Sequence, residues 1–148
     1  MKRLVTALIV GVALFGLAGT AQAVDPGKPF VSLSVTPDKL DLGTLPFLMG
    51  AYDSPATLTV KVKSNCFHGP IVASMTKLRH YRGGTITPDR IFIKAPVTGG
   101  FVPMAKPVAI SEPTNGSHDI VLKFRVENRF QDLAGRYTGT IIFTIMPP

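Results

Sequence analysis

The chain contains one cysteine, no tryptophan and no stretch of helical periodicity, and each absence removes a class of protein. A lone Cys66 cannot close an intramolecular disulfide, so stability must come from a packed core rather than from covalent staples. Such a thiol is expected as a small buried apolar side chain, with intermolecular pairing and catalysis as the other roles open to it. Without apolar residues recurring at i, i+3 and i+4 there is no amphipathic helix, which removes helical bundles and α/β folds. Acidic residues are also scarce, 9 against 16 Lys and Arg, for a net charge of +7. That balance suits contact with anionic partners such as acidic polysaccharide, lipid headgroups or a cell surface, although solubility alone accounts for it too.

Catalytic signatures are missing as well. No serine sits in a G-x-S-x-G elbow, and no spacing pairs two carboxylates for glycoside hydrolysis. The three histidines, His68, His80 and His118, form no close-spaced ligand pair of the kind a zinc motif uses. The sequence therefore leads to a non-enzymatic protein with no cofactor and no metal.

Only one long apolar run exists, and it lies at the start. Lys2 and Arg3 precede a nearly uninterrupted apolar segment from Leu4 to Gly19, and Ala21-Gln22-Ala23 follows as a small-x-small cleavage site. This reads as a secretory signal peptide over residues 1–23, leaving one domain at 24–148 that begins at Val24. The run falls short of the roughly 20 residues a membrane-spanning helix needs, so no transmembrane segment is expected. An exported chain makes nucleic acid a poor partner. Removing Lys2 and Arg3 leaves 14 basic against 9 acidic residues, a net charge of +5. The protein is expected to be secreted, periplasmic or at the cell surface.

Period-two alternation dominates from Phe30 onward. Val31, Leu33 and Val35 alternate with serines, and Pro37-Asp38 then turns the chain. Leu58, Val60 and Val62 alternate with Thr59, Lys61 and Lys63. Ile71 to Leu78 reads as a third strand, and Ile91 and Ile93 mark another between Arg90 and Lys94. Phe101 to Ser111 carries Pro103 and Pro107, so it is an edge strand or an ordered loop. Asn115-Gly116 signals a turn before Ile120, Leu122, Phe124 and Val126. The last strand spans Tyr137 to Met146. Strands this short and regularly spaced predict an all-β fold, an immunoglobulin-like two-sheet antiparallel β-sandwich of about seven strands, with a closed barrel second. Leu58, Val60, Val62, Leu122, Phe124, Ile141 and Phe143 should fill its core.

Gly135 and Tyr137 mark a structural corner, since a Tyr just after Gly at the start of a late strand can return its hydroxyl to nearby backbone. Read as a tyrosine corner, it makes Tyr137–Met146 the penultimate strand and the sandwich one edge strand short. An edge without its partner is a template for an added strand. Residues 24–29 are too short and too rich in proline to serve, whereas Val31, Leu33 and Val35 are expected to pair within their own sandwich and could fill that edge.

Three segments, VSLSVTPDKLDLGTL at Val31–Leu45, TLTVKVKSNC ending at Cys66, and AGRYTGTIIFTI at Ala134–Ile145, together resemble the spore coat protein U and chaperone-usher pilin-like group of secreted sandwiches. The resemblance implies a pilin-like or coat-like structural or assembly subunit of the cell surface, with a homo-oligomer or envelope proteins as partners. Family members commonly join a first-strand Cys to one at the end of the second strand. Cys66 matches the latter, but Phe30–Ser34 holds no partner, and the family's C-terminal aromatic is replaced by Met146-Pro147-Pro148. The alternative is a monomeric secreted binding module for a surface polysaccharide or a partner protein. For it, Lys77, Arg79, Tyr81, Arg82 and Arg90 form the densest basic stretch and the candidate contact for an anionic polysaccharide, through guanidinium hydrogen bonds and stacking.

Overall fold

The computed structural model describes residues 13–14 and 28–145. The expected signal peptide, residues 1–23 with its cleavage site, lies outside these apart from Ala13–Leu14, as does Met146 at the end of the expected last strand. Among the described residues the chain is almost entirely β. In order come β1 (Ala13–Leu14), β2 (Val31–Thr36), β3 (Gly50–Ser64), β4 (Phe67–His68), β5 (Ile71–Met75), β6 (Leu78–His80) and β7 (Thr85–Ile86). They are followed by β8 (Ile91–Lys94), β9 (Val102–Pro103), β10 (Val108–Ala109), β11 (Thr114–Asn115), β12 (His118–Asn128), β13 (Tyr137–Thr138) and β14 (Ile141–Ile145). No helix of the described residues is long and apolar enough to cross a membrane.

Two layers result. One sheet has the order β2-β3-β12-β8-β9, and the other layer is built from β1-β14-β5-β10 and β13-β6-β7. In immunoglobulin terms β2, β3, β12 and β8 stand as strands A, B, E and D, while β5/β6 and β13/β14 stand as C and F. The seven core residues expected from alternation are all at most 2 % exposed, and they face each other between the layers. Burying a side chain of that size contributes about 1.5–3 kcal/mol, so the alternating strands carry the fold.

Strand β3 begins at Gly50, eight residues before the expected Leu58. Its first half is disguised by Asp53-Ser54-Pro55, which reads as a turn. The pairing shows why a proline is tolerated there: register with β12 jumps from Thr57 opposite Lys123 to Asp53 opposite Arg125, a bulge that removes Pro55 from the ladder. Two other strands prove shorter than their alternation suggested. Ile71–Leu78 breaks at Thr76–Lys77, and Tyr137–Met146 breaks at Gly139–Thr140. The breaks face one another: Thr76 N–H donates to the Thr140 carbonyl at 3.0 Å, and Thr140 N–H donates to Thr76 Oγ1 at 2.9 Å. Gly139 suits this crossing, because a Cβ there would lie 2.6 Å from Leu78 Cδ2 and force that buried side chain to shift.

The proline-bearing stretch between β8 and β10 is both edge and loop. Val102–Pro103 pairs with β8 of one sheet, and Val108–Ala109 pairs with β5 of the other. Met104 N–H donates to the Ile91 carbonyl and Ile110 N–H to the Ile71 carbonyl, both at 2.8 Å. One segment therefore closes the sandwich along this side.

Candidate functional site

The opposite side is different. β2 pairs along β3, Val31 opposite Ser64 through Thr36 opposite Thr59, so the first strand lies in the facing sheet. It pairs within its own sandwich but does not cover β14, which corrects the expectation that it could fill that edge. The cause is register: Leu33 and Val35 lie opposite Val62 and Val60, whose apolar faces they extend. Among the described residues the outer edge of β13 and β14 meets only two short segments. Leu45 forms a single bridge to Gly135, and β1 runs parallel to β14 with Ala13 opposite Ile142 and Leu14 opposite Phe143. Val31, Val35 and Ile145 pack on the core yet stay partly exposed on this side.

At one end of this edge the chain forms its corner. Tyr137 is buried and its hydroxyl donates to the Leu133 carbonyl at 2.9 Å. Burial, and then the Asp132 carboxylate, push this phenol above its ordinary value. The His80 ring lies against Tyr137, centroids 5.0 Å apart, and accepts at Nδ1 from the Arg82 N–H at 3.1 Å. Gly135 has φ +126°, a conformation that favours glycine, and a Cβ on it would also crowd His80 Nε2 at 3.1 Å. An apolar cavity of about 270 Å³ opens beside the corner, lined by Leu42, Leu45, Tyr52, Leu78, Val126 and Tyr137 among others.

Arg90 does not join the basic cluster. It is 4 % exposed, and its guanidinium donates two hydrogen bonds to Asp132, at 2.7 and 2.8 Å. The sequence reading of Arg90 as an anionic-polymer contact is therefore corrected: its charge is already neutralised inside the protein by a carboxylate 42 residues away. Asp132 also accepts from the Arg129 N–H at 2.6 Å within the loop after β12, and its pair with Arg90 ties that loop to the turn before β8. Lys77, Arg79, Tyr81 and Arg82 are exposed, and the Arg82 guanidinium lies 5.4 Å from the Tyr81 ring centroid.

Alternation does not reveal a second group beside them. Phe47, Leu48 and Met49 are 81, 73 and 66 % exposed, and Phe130 is 82 % exposed. Asn128, itself buried, donates to the carbonyls of Pro46 and Leu48 at 2.7 and 2.9 Å, and Tyr52 Oη donates to the Leu48 carbonyl at 2.7 Å. The only signal in the sequence is an unalternating apolar run ahead of Gly50, which strand patterning passes over.

The histidines meet in a way their spacing does not reveal. His68 and His118 stack with centroids 5.6 Å apart and planes 8° from parallel. His68 Nδ1 donates to the Gly69 carbonyl at 2.8 Å, and Nε2 of both rings is buried without a hydrogen-bond partner. No three His, Cys, Asp or Glu residues among those described converge for a metal ion. Cys66 is half-buried rather than fully enclosed, its Sγ 3.6 Å from the Phe30 carbonyl and 3.8 Å from Ser64 Oγ. No protein family and no curated protein matches this chain.

Proposed function

We propose that this protein is an exported, non-enzymatic structural or assembly subunit of the cell surface, pilin-like or coat-like, which accepts an added β-strand along β14. The observation that carries the reading is the outer edge of β13 and β14, which pairs among the described residues with only Leu45 and Ala13–Leu14. Its position matches that of the strand an immunoglobulin-like sandwich needs beside strand F. Half-covered Val31, Val35 and Ile145 offer apolar contacts to a strand laid there, and the β14 backbone that meets Ala13–Leu14 would supply its hydrogen bonds once cleavage removes the expected signal peptide. The resemblance of Val31–Leu45, the segment ending at Cys66, and Ala134–Ile145 to spore coat U and pilin-like proteins points the same way.

Size-exclusion chromatography of the purified protein, with electrophoresis in SDS without heating, tests the proposal. SDS-resistant ladders that collapse on boiling are expected, because strands inserted between chains dissociate slowly. A monomer at every concentration would count against it. The second reading is a monomeric module binding an anionic polysaccharide, favoured by exposed Arg82 stacked on Tyr81.

A further inference from the structure

We infer that the end of the sandwich carrying Phe47, Leu48, Met49 and Phe130 docks on the surface of an anionic lipid bilayer. This inference is independent of strand acceptance at β14. Three loops adjoin at that end. The loop before β3 is held to the end of β12 by Asn128, two residues before Phe130. The same loop is joined to the loop before β13 by Gly135 N–H donating to the Leu45 carbonyl at 3.3 Å. The turn after β6 lies beside that second loop, since a Cβ on Gly84 would be 3.3 Å from Leu133 Cδ1 and 3.4 Å from Tyr137 Oη.

Large apolar side chains at such exposure are costly to leave in water and mark a surface that something covers. Charge identifies what. Three carboxylates near this end are already ion-paired, Asp132 with Arg90, Glu127 with Arg129, and Asp53 with Arg125. Asp89 is hydrogen-bonded to Thr87 in the field of Arg129 and Arg90, and Asp41 accepts from the Gly43 N–H. The hydrogen bond from Arg125 holds Asp53 below the usual carboxylate range, which keeps it charged and paired. Lys77, Arg79 and Arg82 are exposed and, among the described residues, meet no carboxylate. Apolar tips beside unneutralised cations are the two elements of interfacial binding, in which aliphatic and aromatic groups enter the acyl boundary while Lys and Arg meet anionic headgroups. Tyr81, 75 % exposed beneath Arg82, is of the residue type that settles at headgroup depth. The Asn128 and Tyr52 hydrogen bonds fix the backbone behind Phe47 and Leu48, so docking need not order that backbone first.

Vesicle co-sedimentation of the purified protein tests this, using phosphatidylglycerol–phosphatidylcholine vesicles against phosphatidylcholine alone. Binding to the anionic vesicles that weakens with salt is expected. The combined Phe47→Ser, Leu48→Ser and Met49→Ser variant should lower the bound fraction about tenfold or more, and Arg79→Glu with Arg82→Glu by a similar factor. Val121→Ser, at another exposed apolar position, should bind as the wild type does. Circular dichroism of each variant establishes that it is folded, and Phe130→Ser provides a second, single-site probe of the same end. Equal binding by the triple-serine variant and wild type would overturn the inference. So would a wild type that ignores anionic vesicles, whether it instead self-associates through the loop or is retained on an anionic polysaccharide through Arg79 and Arg82 alone.

Discussion

Removing the Asp132 carboxylate should be among the most damaging single changes to this protein, and the reason lies with its partner. The side chains of Arg90 and Asp132 are both 5 % exposed, so Asp132→Ala leaves a guanidinium with almost no water to replace two lost hydrogen bonds. Breaking a buried pair on one side costs about 3–5 kcal/mol, against the roughly 5–15 kcal/mol that holds a domain of this size folded. The Arg129 N–H loses its acceptor at the same time, adding up to about 1 kcal/mol where solvent does not replace it. Replacing both partners, Arg90→Met with Asp132→Leu, removes the stranded charge and should recover most of that loss, so the double variant should be about 2 kcal/mol or more better than Asp132→Ala alone. Urea titration followed by far-ultraviolet circular dichroism would measure all three, and equal m-values would establish comparable unfolding. A loss below about 1 kcal/mol for Asp132→Ala, or a double variant no better than the single, would refute the buried-pair reasoning.

The remaining predictions follow from the core and the corner. Phe124→Ala empties a fully buried site between the two layers, beside Ile93 of β8, and should cost about 3–5 kcal/mol in the same titration; under about 1 kcal/mol would mean the strand faces outward. Tyr137→Phe deletes the bond to the Leu133 carbonyl at a cost of about 0.5–1.5 kcal/mol near neutral pH. Because the folded Tyr137 phenol titrates above its unfolded value, its stabilising effect is complete below about pH 10 and declines as pH rises through the folded value. The Phe variant should lack that component of the alkaline loss, measured as the difference between the two proteins' pH–stability curves. Gly139→Ala drives a methyl into buried Leu78 and should cost about 1–3 kcal/mol, whereas Gly99→Ala, with open space around it, is penalised only by its φ of +66°.

The alternation of Leu58–Lys63, Ile120–Val126 and Ile141–Phe143 was readable because each strand buries one face, and a period of two follows directly from that. What escaped the sequence depends on a second chain segment. Pro55 reads as a breaker until β12 supplies a bulge opposite it, and Thr76–Lys77 reads as continuous until Thr140 pairs across the break. Arg90 belongs by spacing to a basic cluster and by structure to Asp132. Phe47, Leu48 and Met49 reverse the usual inference, since their hydrophobicity alone would place them inside, and only the hydrogen bonds from Asn128 and Tyr52 show how the loop is held outward.

The crossing segment between β8 and β10 gives the sandwich the mechanics of a bound book. Its spine is stitched, because residues from Val102 to Ile110 bond to β8 on one cover and to β5 on the other. The fore-edge, between β2 and β14, has no comparable stitching among the described residues. Any breathing of the two sheets must therefore pivot about the spine and be widest where β14 has least backbone pairing. A strand wedged into that gap would act with the longest lever arm, so a small gain in spacing at the spine would become a large one at the fore-edge. Amide exchange should reveal the hinge as a gradient, slowest near Ile71 and Ile91 and fastest toward Ile145.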